Sequence, residues 1–411
     1  MIRQTMEDPI VRKRCVLHLG GYEPMPPERH HYRFERELRR FEKTWSVAAK
    51  VSQPALSGDG RVASWRVETN GPNWRVETDF RLLRWDDIVA ADGARPEWSR
   101  LVQGIAALAD FVVTGTAFRY FYMNWRYGLF FLYPIVLLSF IADAAILIAV
   151  LGIRFGVPPA LAAVLGAAAF PVLARWPGRA VRLTYMLDDW IFARDFARRR
   201  RTELDDRIDR FARELIEQCS NPELDEIVVS GHSLGAALAL LVVDRALSED
   251  ALLAQNVGRL SLLSIGSSLL KIGLHPAAGW VRTAVDRVTR AVTVNWCEYQ
   301  SLVDIISFYK ANPVAAMKLP PRDKPVVRTV RIRAMLQEET YRTFHGNFLR
   351  MHRQFVMGNE KRYFYDFYMI CCGPVSLRTR AHLPDAAVAS FGHDGTFART
   401  GGEAVAVGGS P

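Results

Sequence analysis

One short stretch has residue types and spacing that suit nucleophilic chemistry: "VVSGHSLGAALAL", Val228 to Leu240, with Ser233 between Gly231 and Gly235. A serine hydroxyl attacks a carbonyl well only when it is held clear of the chain and relieved of its proton. The residues leading in, "DEIVVSG", form a short apolar run of β character, and "SLGAALALLVVDRALSE" is built from strong helix formers. A strand running straight into a helix leaves Ser233 in a strained turn, where side chains at 231 and 235 would strike the neighbouring strand and helix. The N-terminus of that helix favours negative charge beside the serine. Three further parts are then needed: a base, an acid that orients it, and donors for the negative oxygen of the intermediate.

Strand, turn and helix together resemble the nucleophile elbow of the α/β-hydrolases, and "GHSLG" is the form common among their lipase-like members. The resemblance covers Arg14 to Leu38 and Glu223 to about Gly358 and implies the chain order nucleophile, acid, histidine. The acid it implies is Asp304, in "QSLVDIIS" after the strand "AVTVNWCEY"; Glu298 is the alternative, and Asp304 could instead cap a helix opening at "DIIS". The base it implies is His352, since "HRQF" is similar to the His-x-x-aromatic arrangement after the family's final strand, with His345 as the alternative. For the oxyanion it implies the amide of Leu234 and a second amide, Gly21 or Tyr22, from "HLGGYEP", where His18, Gly20 and Gly21 are similar to the family's His-Gly loop. The function implied is a serine hydrolase that cleaves a carboxylic, lipid or acyl ester through an acyl-enzyme, with neither metal nor cofactor. The competing reading is a catalytically silent α/β-hydrolase-like domain used as a membrane scaffold or interaction module.

The elements that must position these residues read as α/β with a mostly parallel sheet and helices on both faces. "CVLHLGG" is a strand, "PPERHHYRFERELRRFEKTW" a charged helix on which His30 and His31 are expected to be solvated, and three alternating stretches up to Trp85 are strands separated by "SGDG" and "NGPN". After the elbow, "GRLSLLSIGSS", "RAVTVNWCEY" and "KPVVRTVRIRAML" continue the strands. "DDWIFARDFARRRRTELDDRIDRFARELIEQCS" reads as one long amphipathic helix.

Between the two halves the composition changes. Gly128 to Ile153 carries one charge, Asp143, and Val157 to Trp176 one Arg near its end, with only "RFG" between them. Runs of this length suit a bilayer's hydrocarbon core of about 30 Å, and so short a link makes a transmembrane hairpin. Arg119, Arg126, Arg175, Arg179, Arg182 and the run Ala197 to Arg201 flank its outer ends, which places those ends, and the catalytic domain, on the cytoplasmic side of a bacterial-type inner membrane. Leu101 to Gly128 is apolar and aromatic enough to lie at the interface. Asp143 is expected to face the hairpin interior or a dimer mate.

The organisation expected is therefore 1–97 for the N-terminal part of the hydrolase domain, 98–189 for the membrane insertion with helices over about 128–153 and 157–176, 190–375 for the C-terminal part, and 376–411 as a poorly ordered tail. At 411 residues the chain can bury a large core. Its formal charge of +10 permits anionic lipid contact, and no nucleic-acid partner is expected. Five scattered cysteines lack zinc spacing and read as reduced thiols, with Cys371 and Cys372 a buried pair. The first residues show no secretory signal pattern.

Overall fold

The structure, a computed structural model, describes residues 10–180, 183–250, 253, 258–344 and 346–398, the side chains of 176–180 excepted. Its pivot is β1 (Lys13–Leu19), buried along nearly its whole length. The chain then forms α1 (Pro27–Trp45), β2 (Ala48–Val51), β3 (Ala55–Leu56), β4 (Val62–Asn70) and β5 (Arg75–Leu83). After a helical excursion come β6 (Glu226–His232), β7 (Leu260–Ile265), β8 (Val294–Gln300) and β9 (Val326–Thr329). These strands make one mixed sheet in the order β2-β4-β5-β1-β6-β7-β8-β9, with β3 beside β4. From β5 to β9 the neighbours are parallel, while β2, β3 and β5 run antiparallel to β4. The chain is thus α/β with a mostly parallel sheet.

Near-continuous apolar runs such as "EIVVSGH" belong in strands covered on both faces. Val16, Val228 and Leu263 pack on one face with Phe34 of α1 and with Phe367 to Cys372. Leu17, Val229 and Leu262 pack on the other against α8 (Thr202–Cys219), α9 (Leu234–Glu249) and the helix Gly279–Arg290. Because β1 lies between β5 and β6, the segments before and after the excursion share a single sheet.

The excursion holds α2 (Asp86–Ala94), α3 (Glu97–Val113), α4 (Thr116–Met123), α5 (Trp125–Arg154), α6 (Pro159–Ala180) and α7 (Leu183–Ala197). α5 is long and apolar enough to cross a bilayer, with 6 % of its most apolar stretch buried. The apolar part of α6, Pro159–Arg175, is shorter than α5 and stands at the lower limit of the length that crosses a bilayer. The two helices touch closely: a Cβ on Gly166 would lie 2.9 Å from both the Ala145 carbonyl oxygen and the Ala149 Cβ. α3 and α4 meet at a 69° bend and leave Trp98, Phe118 and Tyr122 exposed.

Several expectations are corrected. Asp143 is exposed on α5 and is not enclosed between α5 and α6, which removes the hairpin-interior position and leaves contact with a dimer mate as an expectation. The long helix expected over Asp188 to Ser220 breaks at Arg198–Arg201 into α7 and α8, because α7 is buried on nearly every side whereas α8 keeps a solvated face. Within that arginine run Arg198 pairs with Asp110 and the buried Arg201 with Asp92, so part of the charge serves internal ion pairs. His31 is buried, its Nε2 2.8 Å from the Ser52 carbonyl, and His30 lies against Gly20 instead of in solvent.

The expected tail begins too early. Residues Leu377–His382 and Pro384–Ala389 are helical, and Phe391 bridges to Phe397. Buried Arg14 explains the anchorage: it donates to the Cys371, Gly373 and Val375 carbonyls and pairs with Glu226, which in turn accepts from the Leu377 amide. Residues 399–411 lie outside the described residues. All five cysteines are buried and free, and burial pushes the Cys372 thiol up to about 12.

Candidate active site

The site lies beyond the C-terminal ends of β1, β6, β7 and β8, where an open α/β sheet leaves a crevice. Ser233 follows β6 directly with φ 58° and ψ −125°, the strained turn the flanking glycines predict. A Cβ on Gly231 would run into Ala236, and one on Gly235 into the Leu19 and Gly20 carbonyls. The turn is locked, since the Ser233 amide donates to the Ile265 carbonyl at 3.0 Å and its carbonyl accepts from Ser268 at 3.1 Å.

Asp304 and His352, 48 residues apart, meet as a buried pair: His352 Nδ1 lies 3.0 and 2.9 Å from the two carboxylate oxygens. Asp304 sits on the loop after β8, where its Oδ1 also accepts from the Ile306 amide at 3.1 Å. Its local turn-stabilising role and its contact with His352 therefore coexist. His352 is carried by the short helix Phe348–Arg353, which Asn347 caps through the Arg350 amide. Its Nε2 is buried without a hydrogen-bond partner among the described residues, in a cavity that Ser233 also lines. Ser233 Oγ is 3.5 Å from Ser268 Oγ and does not bond to His352.

The loop after β1 packs on the elbow. Gly21 is so close that a Cβ there would sit 3.1 Å from the Ser233 Cβ. The carbonyl of Gly20 accepts from Trp85 Nε1 at 3.0 Å, that of Tyr22 from the Tyr185 hydroxyl, and the Tyr22 hydroxyl donates to Asp92 at 2.8 Å. Leu234 opens α9, so its amide has no helical acceptor. The elbow, Gly21 and the Asp304–His352 pair are thus brought together.

The alternatives fare differently. Glu298 is buried, accepts from Gln300 Nε2 at 2.7 Å and does not bond to His352; burial pushes its carboxyl up to about 7. His345 lies outside the described residues. His18 is buried against Ser230 Oγ at 3.2 Å, and burial together with the Arg33 charge lowers it to about 3.

Three neighbours escaped sequence reading. His232 packs against His352 with ring centroids 4.5 Å apart and the rings tilted by 35°, and has its Nε2 3.1 Å from the His352 carbonyl; burial holds it well below the usual imidazole range. Gly266, at φ +49°, is packed against Asp304 and His352, and a Cβ would lie 3.1 Å from each. Ser268 faces Ser233. The one available signal for the last two was "IGSS" at the end of an apolar strand.

Among the described residues no group of three or more His, Cys, Asp or Glu is placed to hold a metal. Comparison with family models, curated proteins and solved structures finds no match, so the chemistry of the site rests on its own geometry.

Proposed function

We propose that this chain is a membrane-anchored serine hydrolase of the α/β-hydrolase type, acting on a lipid or acyl ester. The observation that carries the reading is the buried Asp304–His352 pair, whose unpaired Nε2 shares a cavity with Ser233. The neighbouring β1 and β6, which set the glycine loop against the elbow, support it further.

In this reading Ser233 Oγ turns from Ser268 toward His352, gives its proton to Nε2 and attacks the ester carbonyl carbon. Asp304 holds the Nδ1 proton and stabilises the imidazolium. The amides of Leu234 and of Gly21 or Tyr22 receive the oxyanion. Collapse of the tetrahedral intermediate expels the alcohol, which takes the proton from Nε2, and leaves the acyl group on Ser233. Water, deprotonated by His352, then releases the acid.

The anchor is α5, with α6 as the returning limb of a transmembrane hairpin and the sheet on the cytoplasmic face of a bacterial-type inner membrane. The exposed apolar face of α5 and the arginines at 119, 126 and 175 support that placement.

A fluorophosphonate probe tests the chemistry. Labelling of the folded protein is expected and is lost in Ser233→Ala, while His352→Ala lowers esterase kcat by on the order of 10⁴ or more. Absence of label on folded protein would favour the silent scaffold and end the enzyme reading.

A further inference from the structure

Two cavities share the walls Tyr22, Tyr185, Ser233, Leu349 and His352, and diverge from them in chemistry. The first, of about 50 Å³, adds Glu23, Arg33 and Arg353 together with His18 and His232. The second, of about 70 Å³, adds Phe130, Met186, Ile306 and Phe348, and its one charged lining residue, Asp189, is paired with the buried Lys271.

The first arm is electropositive. Arg353 donates to Glu23 at 2.7 Å and Arg33 at 3.4 Å, so one carboxylate stands between two guanidiniums and one positive charge is left over. His18 and His232 are held neutral by burial and cancel none of it. Each guanidinium has five donors; Arg33 also has its Nη2 3.2 Å from the His30 ring, and both groups keep donors beyond these contacts. The N-terminus of α9 adds to the field at Ser233.

The second arm runs to the foot of the apolar helix. Phe130 belongs to α5, and its ring lies 6.2 Å from that of Phe348. An acyl chain leaving Ser233 by this route meets mostly apolar walls, with the paired Asp189 and the rings of Tyr22 and Tyr185 beside them.

We propose that the substrate is an acyl ester of a phosphate-bearing headgroup, with its phosphate on Arg33 and Arg353 and the first methylenes of its acyl chain between Phe130, Met186 and Phe348. Guanidinium forks match phosphate geometry, and the small volume of each arm restricts it to the groups flanking the ester bond. This assignment rests on the hydrolase reading above.

The test compares a 1-acylglycerol 3-phosphate with the 1-acylglycerol of the same chain, both as monomers, using the full chain in neutral detergent. The phosphate ester is expected to have a kcat/KM about tenfold higher at low salt, a difference reached by one charge-assisted contact. That ratio falls severalfold in Arg353→Gln, and also in the unmodified protein when salt rises from about 50 to about 500 mM. Phe348→Ala shifts preference toward longer chains. Equal kcat/KM for the two esters, with Ser233 still labelled by the fluorophosphonate, overturns the headgroup assignment and leaves the hydrolase standing. A ratio unmoved by salt and by Arg353→Gln overturns it equally. Failure of both labelling and hydrolysis removes the two readings together.

Discussion

Asp304 and Glu298 are both buried carboxylates near the end of β8, yet only Asp304 meets an imidazole. Glu298 points to Gln300, and burial holds its carboxyl near 7, so the folded state keeps a proton that the unfolded chain, near 4.5, has lost. Its contribution to stability is therefore present below about 4.5 and is lost as pH rises to about 7. Glu298→Gln keeps the shape and the Gln300 bond without a titrating group. We expect it to raise the Tm at pH 8, by on the order of a few kcal/mol of stability, and to leave it near the parent value at pH 4. Equal Tm differences at the two pH values would show that Glu298 does not titrate in this range.

Each element of the candidate site carries its residue to the same end of the sheet. The glycines of the elbow are what allow it, because β1, β6 and the start of α9 approach more closely than any side chain at 231 or 235 permits. Gly235→Ala should push the Gly20–Tyr22 loop off the elbow and lower kcat about 10²–10³-fold, the effect of losing one oxyanion donor, with the circular-dichroism spectrum retained. More than half of the parent kcat in that variant contradicts the placement of the loop. The loop has its own support in Trp85, Tyr185 and the Tyr22–Asp92–Arg201 chain, so part of the arginine run acts on the site from a distance.

At the scale of the molecule, the sheet closes across the helical excursion, and α5 projects apolar side chains such as Phe140, 67 % exposed, with nothing among the described residues to cover them. Water is a costly neighbour for such a face. Membranes carrying the full chain are therefore expected to retain it through alkaline carbonate washing and release it into neutral detergent. Appearance of the protein in the carbonate supernatant would mean that α5 serves as a soluble cap. The cavity wall formed by Phe130 lies at the foot of that helix.

The sequence alone was enough to place Ser233 in a strand-turn-helix elbow, because that geometry depends on neighbours along the chain: an apolar run, two glycines and a helix. The strand–turn pattern of β2, β4 and β5 and the apolar character of 128–153 were legible for the same reason, whereas the two-residue β3 was not. Asp304 and His352 could be suggested only through a family resemblance, and their meeting depends on how the loops after β8 and β9 fold over the sheet. His232, Gly266 and the Arg33–Glu23–Arg353 cluster left no local pattern, since their roles arise from packing between distant segments. The ordered stretch 376–398 was misread for that reason too: its composition is loop-like, and what holds it is a buried Arg14–Glu226 pair more than 140 residues away. Tertiary structure decided which of several chemically competent side chains share one cavity, because proximity across a sheet is set by strand order and register, which no short window of sequence contains.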